Sequence, residues 1–183
     1  MIDTLLSLIA PHYCYGCGEE GSSLCENCKY NITSEAFGRC IACGQLADVR
    51  TGICARCRVS YQKAWCVGER SDSLQRLIGA FKFQNNRSAY KQLAELLDAV
   101  IPELPAHTII VPVPTVRSHV RMRGYDHMLL IARHLGKRRR LRIHTGLQRV
   151  SSTKQRGVGR SDRIAQAKVA FRHPGVLDPT VPY

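Results

Sequence analysis

The chain has 183 residues, and 44% of them are apolar, which is enough to bury one large core or two small ones. No apolar run reaches the roughly 18 residues that a membrane helix needs, so no membrane span is expected. The first ten residues lack the basic segment of a secretory signal. We therefore predict a cytoplasmic protein with reduced thiols.

The formal net charge of +13 lies entirely in the last part of the chain. Residues 1–63 hold 6 basic and 6 acidic residues, and residues 64–107 hold 5 of each. Residues 108–183 hold 16 basic and 3 acidic residues. Such a region favours an anionic partner, which could be a phosphate ligand, a nucleic acid or an acidic surface.

The first predicted elements are a short helix and a cysteine module. Apolar residues at helical spacing within residues 1–10 predict a docking helix that Pro11 ends. Eight of the nine cysteines then form four C-x-x-C pairs in an internal repeat, and two such pairs can enclose one tetrahedral metal ion. Glycines after Cys17 and Cys43 fit knuckles that need a left-handed backbone. The predicted metal ligands are Cys14, Cys17, Cys25, Cys28, Cys40, Cys43, Cys54 and Cys57.

We interpret this module as a double zinc ribbon with two structural zinc ions. Cysteine fills every ligand position, which leaves none open to water or substrate. Disulfides, an iron–sulfur cluster and redox chemistry are the alternatives, and the duplicated arrangement favours zinc over them. Sequential pairing of the C-x-x-C motifs gives two ribbons, while a cross-braced pairing stays open.

The rest of the chain alternates between strand and helix patterns. Residues 64–68 and 108–113 read as strands, and apolar faces over 74–81, 93–101 and 128–135 read as helices. This alternation predicts an α/β domain with a parallel sheet.

The predicted domains are residues 1–62, with the helix and the ribbons, and residues 63–183. Within the second domain, residues 148–168 show little periodicity, which predicts a long mobile loop.

A basic loop follows the strand at 108–113. It carries Arg117, Arg121 and Arg123, and a helix is predicted after Gly124. Ligands of open α/β sheets bind beyond the carboxyl ends of strands, where arginine side chains and a helix N-terminus favour phosphate. A solvated, charged loop is the alternative interpretation.

This order of features resembles the ComF family of competence-related proteins, in which a double zinc ribbon is joined to a type I phosphoribosyltransferase-like domain. The resemblance covers essentially the whole chain. Besides the cysteines, it is carried by Pro11, Lys82-Phe83, Val111-Pro-Val-Pro, Arg121-x-Arg123-Gly124-Tyr125, Leu147-x-Arg149, Thr153, Gln155, Arg163 and Ala170-Phe171.

The resemblance implies a site for phosphoribosyl diphosphate, with Mg²⁺ accompanying it in complete relatives. The strand-end loop would contact the diphosphate, and residues 149–163 would form a lid. The residues implied in phosphate or diphosphate binding are Arg121, Arg123, Gly124, Lys154, Arg156 and Arg160. No catalytic base is assigned.

The sequence also departs from the family pattern. The family's Arg-Gly-Phe-Asn-Gln reads Arg123-Gly-Tyr-Asp126-His127 here. The Asp-Asp-x-x-Thr-Thr-Gly loop that holds the phosphoribosyl group does not occur. We therefore expect an α/β protein whose phosphoribosyltransferase-like domain is incomplete at its C-terminal end.

Two functions follow as hypotheses. The first is a ComF-type protein that binds phosphoribosyl diphosphate, or another phosphate ligand, and is linked to DNA uptake or nucleotide metabolism. The second is a zinc-ribbon factor without catalysis that binds single-stranded DNA or interacts with other proteins, competence proteins among them. The sequence leaves enzymatic activity open.

Overall fold

The computed structural model describes residues 11–35, 37–69, 72–150, 159–175 and 178–183. They divide into two compact units, 1–103 and 104–183. The second unit begins shortly before the predicted strand at 108–113. The predicted domain boundary after residue 62 stays a prediction, because compactness alone does not define a domain.

The first unit contains the cysteine module, three helices and one 3₁₀ turn. Its elements are helix α1 (Glu26–Thr33), helix α2 (Asp72–Phe83), the 3₁₀ turn Arg87–Ala89 and helix α3 (Tyr90–Val100). The predicted apolar faces of α2 and α3 supply most of its core. The buried residues on these helices are Leu74, Leu77, Ala80, Phe81, Leu93, Ala94 and Leu96.

Hydrogen bonds and an ion pair join the first cysteine repeat to the helices of this unit. The Asn86 side-chain amide donates to the Tyr15 hydroxyl at 3.2 Å and to Ser23 Oγ at 3.4 Å. Lys29 on α1 forms an ion pair with Glu95 on α3. Leu24 lies between the cysteines of this repeat and is fully buried. The first repeat is therefore part of the packed unit.

The second unit is built on a short parallel sheet. Strand β1 (Ile109–Ile110) pairs with strand β2 (Arg142–Ile143), with Ile109 opposite Arg142. Helix α4 (Arg117–Arg123) and helix α5 (His127–Arg139) form the crossover between these strands. The parallel pairing with intervening helices confirms the α/β class.

An antiparallel pair completes the described part of the second unit. Strand β3 (Gln148–Arg149) pairs with strand β4 (Phe171–Arg172), which directly follows helix α6 (Arg160–Ala170). Residues 151–158 lie outside the described residues.

Two sequence-based predictions of secondary structure were wrong. Residues 64–68 form no strand: Ala64 donates one backbone hydrogen bond to Thr51, but no ladder with a neighbouring strand forms among the described residues. The predicted long loop over 148–168 contains β3 and most of α6. Helix α6 escaped detection because its polar sequence carries no apolar face to reveal a helical period. The predicted N-terminal helix at 1–10 lies outside the described residues.

The described helices are all too short or too polar to cross a bilayer.

Phenylalanines two residues apart on α2 allow a direct test of this core. The side chain of Phe81 is 1% exposed, whereas that of Phe83 is 63% exposed. We expect Phe81→Ala to lower the free energy of unfolding by about 3–5 kcal/mol, because it removes buried surface and leaves a cavity. Phe83→Ala should change it by no more than about 0.5 kcal/mol. Denaturant unfolding of the zinc-loaded protein measures both, and equal losses would contradict this assignment of the core.

Candidate metal centres and anion-binding cavity

The eight paired cysteines form two separate four-sulfur clusters. In each cluster all four ligand atoms lie within 4.8 Å of one another. The clusters join sequential pairs, so the structure has the two-ribbon arrangement rather than the cross-braced one. Their members are Cys14, Cys17, Cys25 and Cys28 in the first, and Cys40, Cys43, Cys54 and Cys57 in the second.

The sulfur spacing fits a tetrahedral zinc ion. Four thiolates at the usual Zn–S bond length of about 2.3 Å lie about 3.8 Å apart. The Sγ atoms of Cys17 and Cys25 are 3.6 Å apart, and so are those of Cys43 and Cys54. Four cysteines that converge at this spacing fit one structural zinc ion in each cluster.

The backbone around the first cluster directs N–H groups at sulfur. The amides of Gly16 and Cys25 each donate to Cys14 Sγ at 3.3 Å. The predicted left-handed positions are confirmed, because φ is 84° at Gly18 and 78° at Gly44. These turns let each C-x-x-C pair point both sulfurs inward.

The same N–H groups stabilise thiolate at one cysteine of each cluster. Burial raises the pKa of Cys14, but backbone N–H donors, that of Cys25 first among them, outweigh it and lower the pKa to about 6. The N–H of Cys54 acts first on Cys40 and lowers its pKa to about 6.

The partner cysteines are affected in the opposite direction. Burial and the neighbouring thiols raise the pKa of Cys28 to about 12, and hydrogen bonds from Cys43 and Cys54 raise that of Cys57 to about 12. The pKa of Cys54 is also lowered, chiefly by the backbone N–H of Arg56. Each cluster therefore contains cysteines that favour the thiolate and cysteines that resist it, and a cation such as Zn²⁺ would offset the repulsion between thiolates.

The ribbons have little else to hold them together. Among the described residues from 11 to 62, Leu24 is the one buried large aliphatic side chain. Burial of a leucine contributes about 1.5–3 kcal/mol. Structural zinc in small domains contributes about 10–16 kcal/mol. A structural role for the two metal centres follows from this difference.

The second unit contains a cavity of about 650 Å³ beyond the carboxyl ends of β1 and β2. Its volume lies in the usual range for small-molecule sites. Three arginines line it, and its lining includes no acidic residue among those that the structure describes. The lining residues are Pro114, Thr115, Val116, Arg117, Ser118, Arg121, Leu147, Gln148, Arg149 and Val150.

Of the six residues predicted to bind phosphate or diphosphate, one is among the described residues that line the cavity. Arg121 lines the cavity. Arg123 is not among the lining residues, and its Nη1 lies 3.2 Å from His127 Nδ1. Gly124 caps the C-terminus of α4 with φ 78°. Lys154 and Arg156 lie outside the described residues, and Arg160 is the first residue of α6.

Arg149 joins the cavity through the antiparallel pair. It lies in β3, and its guanidinium carbon is 5.3 Å from the centre of the Phe171 ring in β4. This cation–π geometry fixes the arginine on the cavity wall. The pattern Leu147-x-Arg149 had marked the position, but its contact with Phe171 was not predicted.

A hydrogen-bond network that the sequence did not predict holds Thr115 in the cavity wall. Thr115, a lining residue, donates from Oγ1 to Asp126 Oδ1 at 2.8 Å and lies 3.1 Å from His127 Nδ1. Asp126 also caps α5 by accepting from the N–H groups of Met128 and Leu129. An aspartate directly before a helical pattern predicts an N-cap, so the capping role of Asp126 could be predicted from the sequence. Its hydrogen bond with Thr115 could not.

The site and fold together define a class of protein: a double four-cysteine ribbon followed by an α/β unit with a basic cavity. Among curated proteins, Competence protein F of Haemophilus influenzae (strain ATCC 51907 / DSM 11121 / KW20 / Rd) is 30% identical over 161 residues. The match covers 82% of this chain and 69% of that protein. The chain belongs to the competence protein F (ComF) family. No family model and no solved structure matches it.

Gly16 provides a test of the first metal centre. A Cβ atom there would lie 2.4 Å from Cys28 Sγ, a metal ligand. We expect Gly16→Ala to displace this sulfur and to reduce the zinc content from two ions per chain towards one. Native mass spectrometry measures the stoichiometry.

Gly38→Ala is the matched control, because a Cβ at Gly38 would meet no atom within 4 Å. This variant should keep both ions. Two bound zinc ions in Gly16→Ala would contradict the proposed first centre.

Proposed function

We propose that this chain binds phosphoribosyl diphosphate in the basic cavity of its second unit and acts in DNA uptake (competence). The observation that carries the proposal is the convergence of Arg117, Arg121 and Arg149 on one cavity without a lining carboxylate. Guanidinium groups pair with phosphate oxygens in bidentate geometry. Three of them would offset much of the charge of a diphosphate.

The position of the cavity supports the same ligand. Ligands of open α/β sheets bind outside the carboxyl ends of the parallel strands. The cavity lies there, with the hydroxyls of Thr115 and Ser118 on its wall beside Arg117 and Arg121. Hydroxyl and guanidinium groups together suit a ligand that carries both ribose and phosphate oxygens.

The role of the arginines would be positioning and charge stabilisation. In a phosphoribosyl transfer, negative charge builds on the departing diphosphate, and fixed cations stabilise it. The Arg149–Phe171 stack and the Thr115–Asp126 hydrogen bond hold two parts of the wall in place before a ligand arrives. We propose that this chain binds phosphoribosyl diphosphate, and we assign no catalytic base.

The described lining of this cavity offers Mg²⁺ no carboxylate ligand. Mg²⁺ prefers carboxylate oxygens. The lining residues therefore do not fit a resident Mg²⁺ site, and nothing proposed here depends on one.

The biological setting rests on the relative. The similar protein of Haemophilus influenzae is named for competence, and we extend that role to this chain, together with a cytoplasmic location. The second candidate, nucleic-acid binding or protein interaction through the zinc ribbons, lacks a comparable charge feature, since residues 1–63 hold equal numbers of basic and acidic residues.

Calorimetric titration with phosphoribosyl diphosphate tests the cavity. We expect the wild-type chain to bind and Arg121→Ala to bind about 10- to 100-fold more weakly, because a charge-assisted hydrogen bond contributes about 1.5–3 kcal/mol. Arg133→Ala removes an exposed arginine outside the cavity and should leave the affinity unchanged. Lack of binding by the wild type, or an equal loss in both variants, would refute the proposal.

A further inference from the structure

Two histidines meet between the two sheets of the second unit. His144 directly follows β2, and its backbone N–H donates to the carbonyl oxygen of Ile110 in β1 at 2.9 Å. His173 directly follows β4. The Nε2 atoms of the two histidines are 2.8 Å apart, and their ring centres are 5.1 Å apart. We call these two residues the histidine pair, and neither is among the described residues that line the basic cavity.

The backbone orients one ring of the pair with its Nε2 towards the other ring. His173 Nδ1 lies 2.6 Å from the carbonyl oxygen of Gly175, where two lone pairs would repel each other, so this nitrogen carries the proton and donates it. A neutral imidazole that is protonated at Nδ1 keeps a lone pair at Nε2. Histidines that bind metal through one nitrogen usually donate from the other to a backbone carbonyl or a carboxylate. His173 is therefore held in the tautomer of a metal ligand.

Gly146 keeps a position beside both imidazoles clear. A Cβ atom on this residue would lie 3.1 Å from His173 Nε2 and would collide with His144 Nε2. Any larger residue would therefore fill this position or push the two rings apart. Both histidines are half-buried, so solvent ions can reach them. A metal ion that binds both Nε2 atoms needs such a position.

We propose that the histidine pair binds a divalent transition-metal ion, Ni²⁺ or Cu²⁺, through its two Nε2 atoms. Two imidazole nitrogens at about 2.0–2.1 Å from one metal ion lie about 2.8–3.0 Å apart when their bonds form a right angle. A tetrahedral angle would separate them by about 3.3–3.4 Å. The observed 2.8 Å fits the right angle. Nitrogen ligands in such square geometry are typical of Ni²⁺ and Cu²⁺, and water would complete the coordination.

This site differs in chemistry from the metal centres of the ribbons. It offers two neutral imidazoles, and among the described residues no third histidine, cysteine or carboxylate joins them. Its metal ion should therefore exchange readily, whereas each ribbon encloses its ion in four sulfurs. The neighbouring Arg142 and Arg172 are exposed, so solvent and salt screen their repulsion of a cation.

A metal ion bound here would cross-link two parts of the second unit. His144 extends the parallel sheet of β1 and β2, and His173 extends the antiparallel pair of β3 and β4, 29 positions further along the chain. An ion that binds only the folded chain stabilises the folded chain. It should therefore slow the opening of the backbone hydrogen bonds on either side of the link. One joins His144 to Ile110, and another joins the N–H of Val150 to the carbonyl oxygen of Ala170 at 2.9 Å.

This inference does not depend on the ligand of the basic cavity. Arg121→Ala should weaken the binding of phosphoribosyl diphosphate and leave the binding of Ni²⁺ unchanged. A chain that binds no phosphoribosyl diphosphate should still bind Ni²⁺ at the histidine pair. Failure of either proposal therefore leaves the other testable.

The test adds Ni²⁺ to the zinc-loaded chain, with native mass spectrometry for the stoichiometry and calorimetric titration for the affinity. We expect two zinc ions to stay and one Ni²⁺ ion to bind. His144→Gln and His173→Gln should each weaken Ni²⁺ binding by about 100-fold or more, since even the loss of a group that supports a ligand costs about 10- to 100-fold. Glutamine can replace the hydrogen bond between the rings, but its amide is a poor ligand for Ni²⁺.

His107→Gln is the matched control, because it removes an exposed histidine of the same unit. It should leave the affinity for Ni²⁺ unchanged. Gly146→Ala keeps both histidines but displaces their rings, and it should weaken Ni²⁺ binding as well. Absence of a bound Ni²⁺ ion in the wild type, or an equal loss of affinity in His107→Gln and His144→Gln, would overturn the proposal.

Hydrogen exchange distinguishes the cross-link from an ion bound elsewhere. In the wild type, Ni²⁺ should slow exchange of the amides of His144 and Val150, which lie on either side of the link. In His173→Gln the same Ni²⁺ concentration should not change it. Exchange that is equally fast with and without bound Ni²⁺ in the wild type would show that the two histidines form a hydrogen bond only.

Discussion

Four sulfur atoms must come within about 3.8 Å of one another to hold a zinc ion, and this requirement organises the first unit. Backbone N–H groups of Gly16 and Cys25 point at Cys14 and favour its thiolate. Thiolates so close together repel one another, so each cluster needs a cation to hold several of them. Since Leu24 supplies almost the only apolar burial in the ribbons, the metal replaces a hydrophobic core there.

The second unit separates two kinds of positive charge. Arg117, Arg121 and Arg149 face a cavity whose wall is held by a hydrogen bond and a cation–π contact. Arg133, Lys137 and Arg140, at the C-terminal half of α5, are instead exposed to solvent. The first arrangement suits a small anion that fits a concave site. The excess positive charge of the chain is therefore divided between a concave site and the solvent-facing surface of the second unit.

Local patterns predicted much of this structure, and long-range pairing was the part they could not predict. The C-x-x-C spacing predicted all eight metal ligands, and the apolar faces predicted α2, α3 and α5. Strands β3 and β4 have two residues each, which is too short for any periodicity. Their pairing brings Arg149 to Phe171 across 22 positions, and no property of either residue signals that contact. The prediction for 64–68 failed for the converse reason: the segment has strand-forming residues, but it joins no ladder in the part of the chain that the structure describes.

The two ribbons differ in the residue before the second cysteine of their first C-x-x-C pair, because Gly16 has no space for a side chain. The corresponding residue of the second repeat is Ala42, which accommodates the methyl group that Gly16 has no room for. Cys28 belongs to α1, which pairs with α3 through Lys29 and Glu95, and its sulfur lies where the extra methyl would go. The two knuckles of the internal repeat are therefore not equivalent: the second contains an alanine, whereas an alanine at position 16 would have to displace a metal-ligating sulfur.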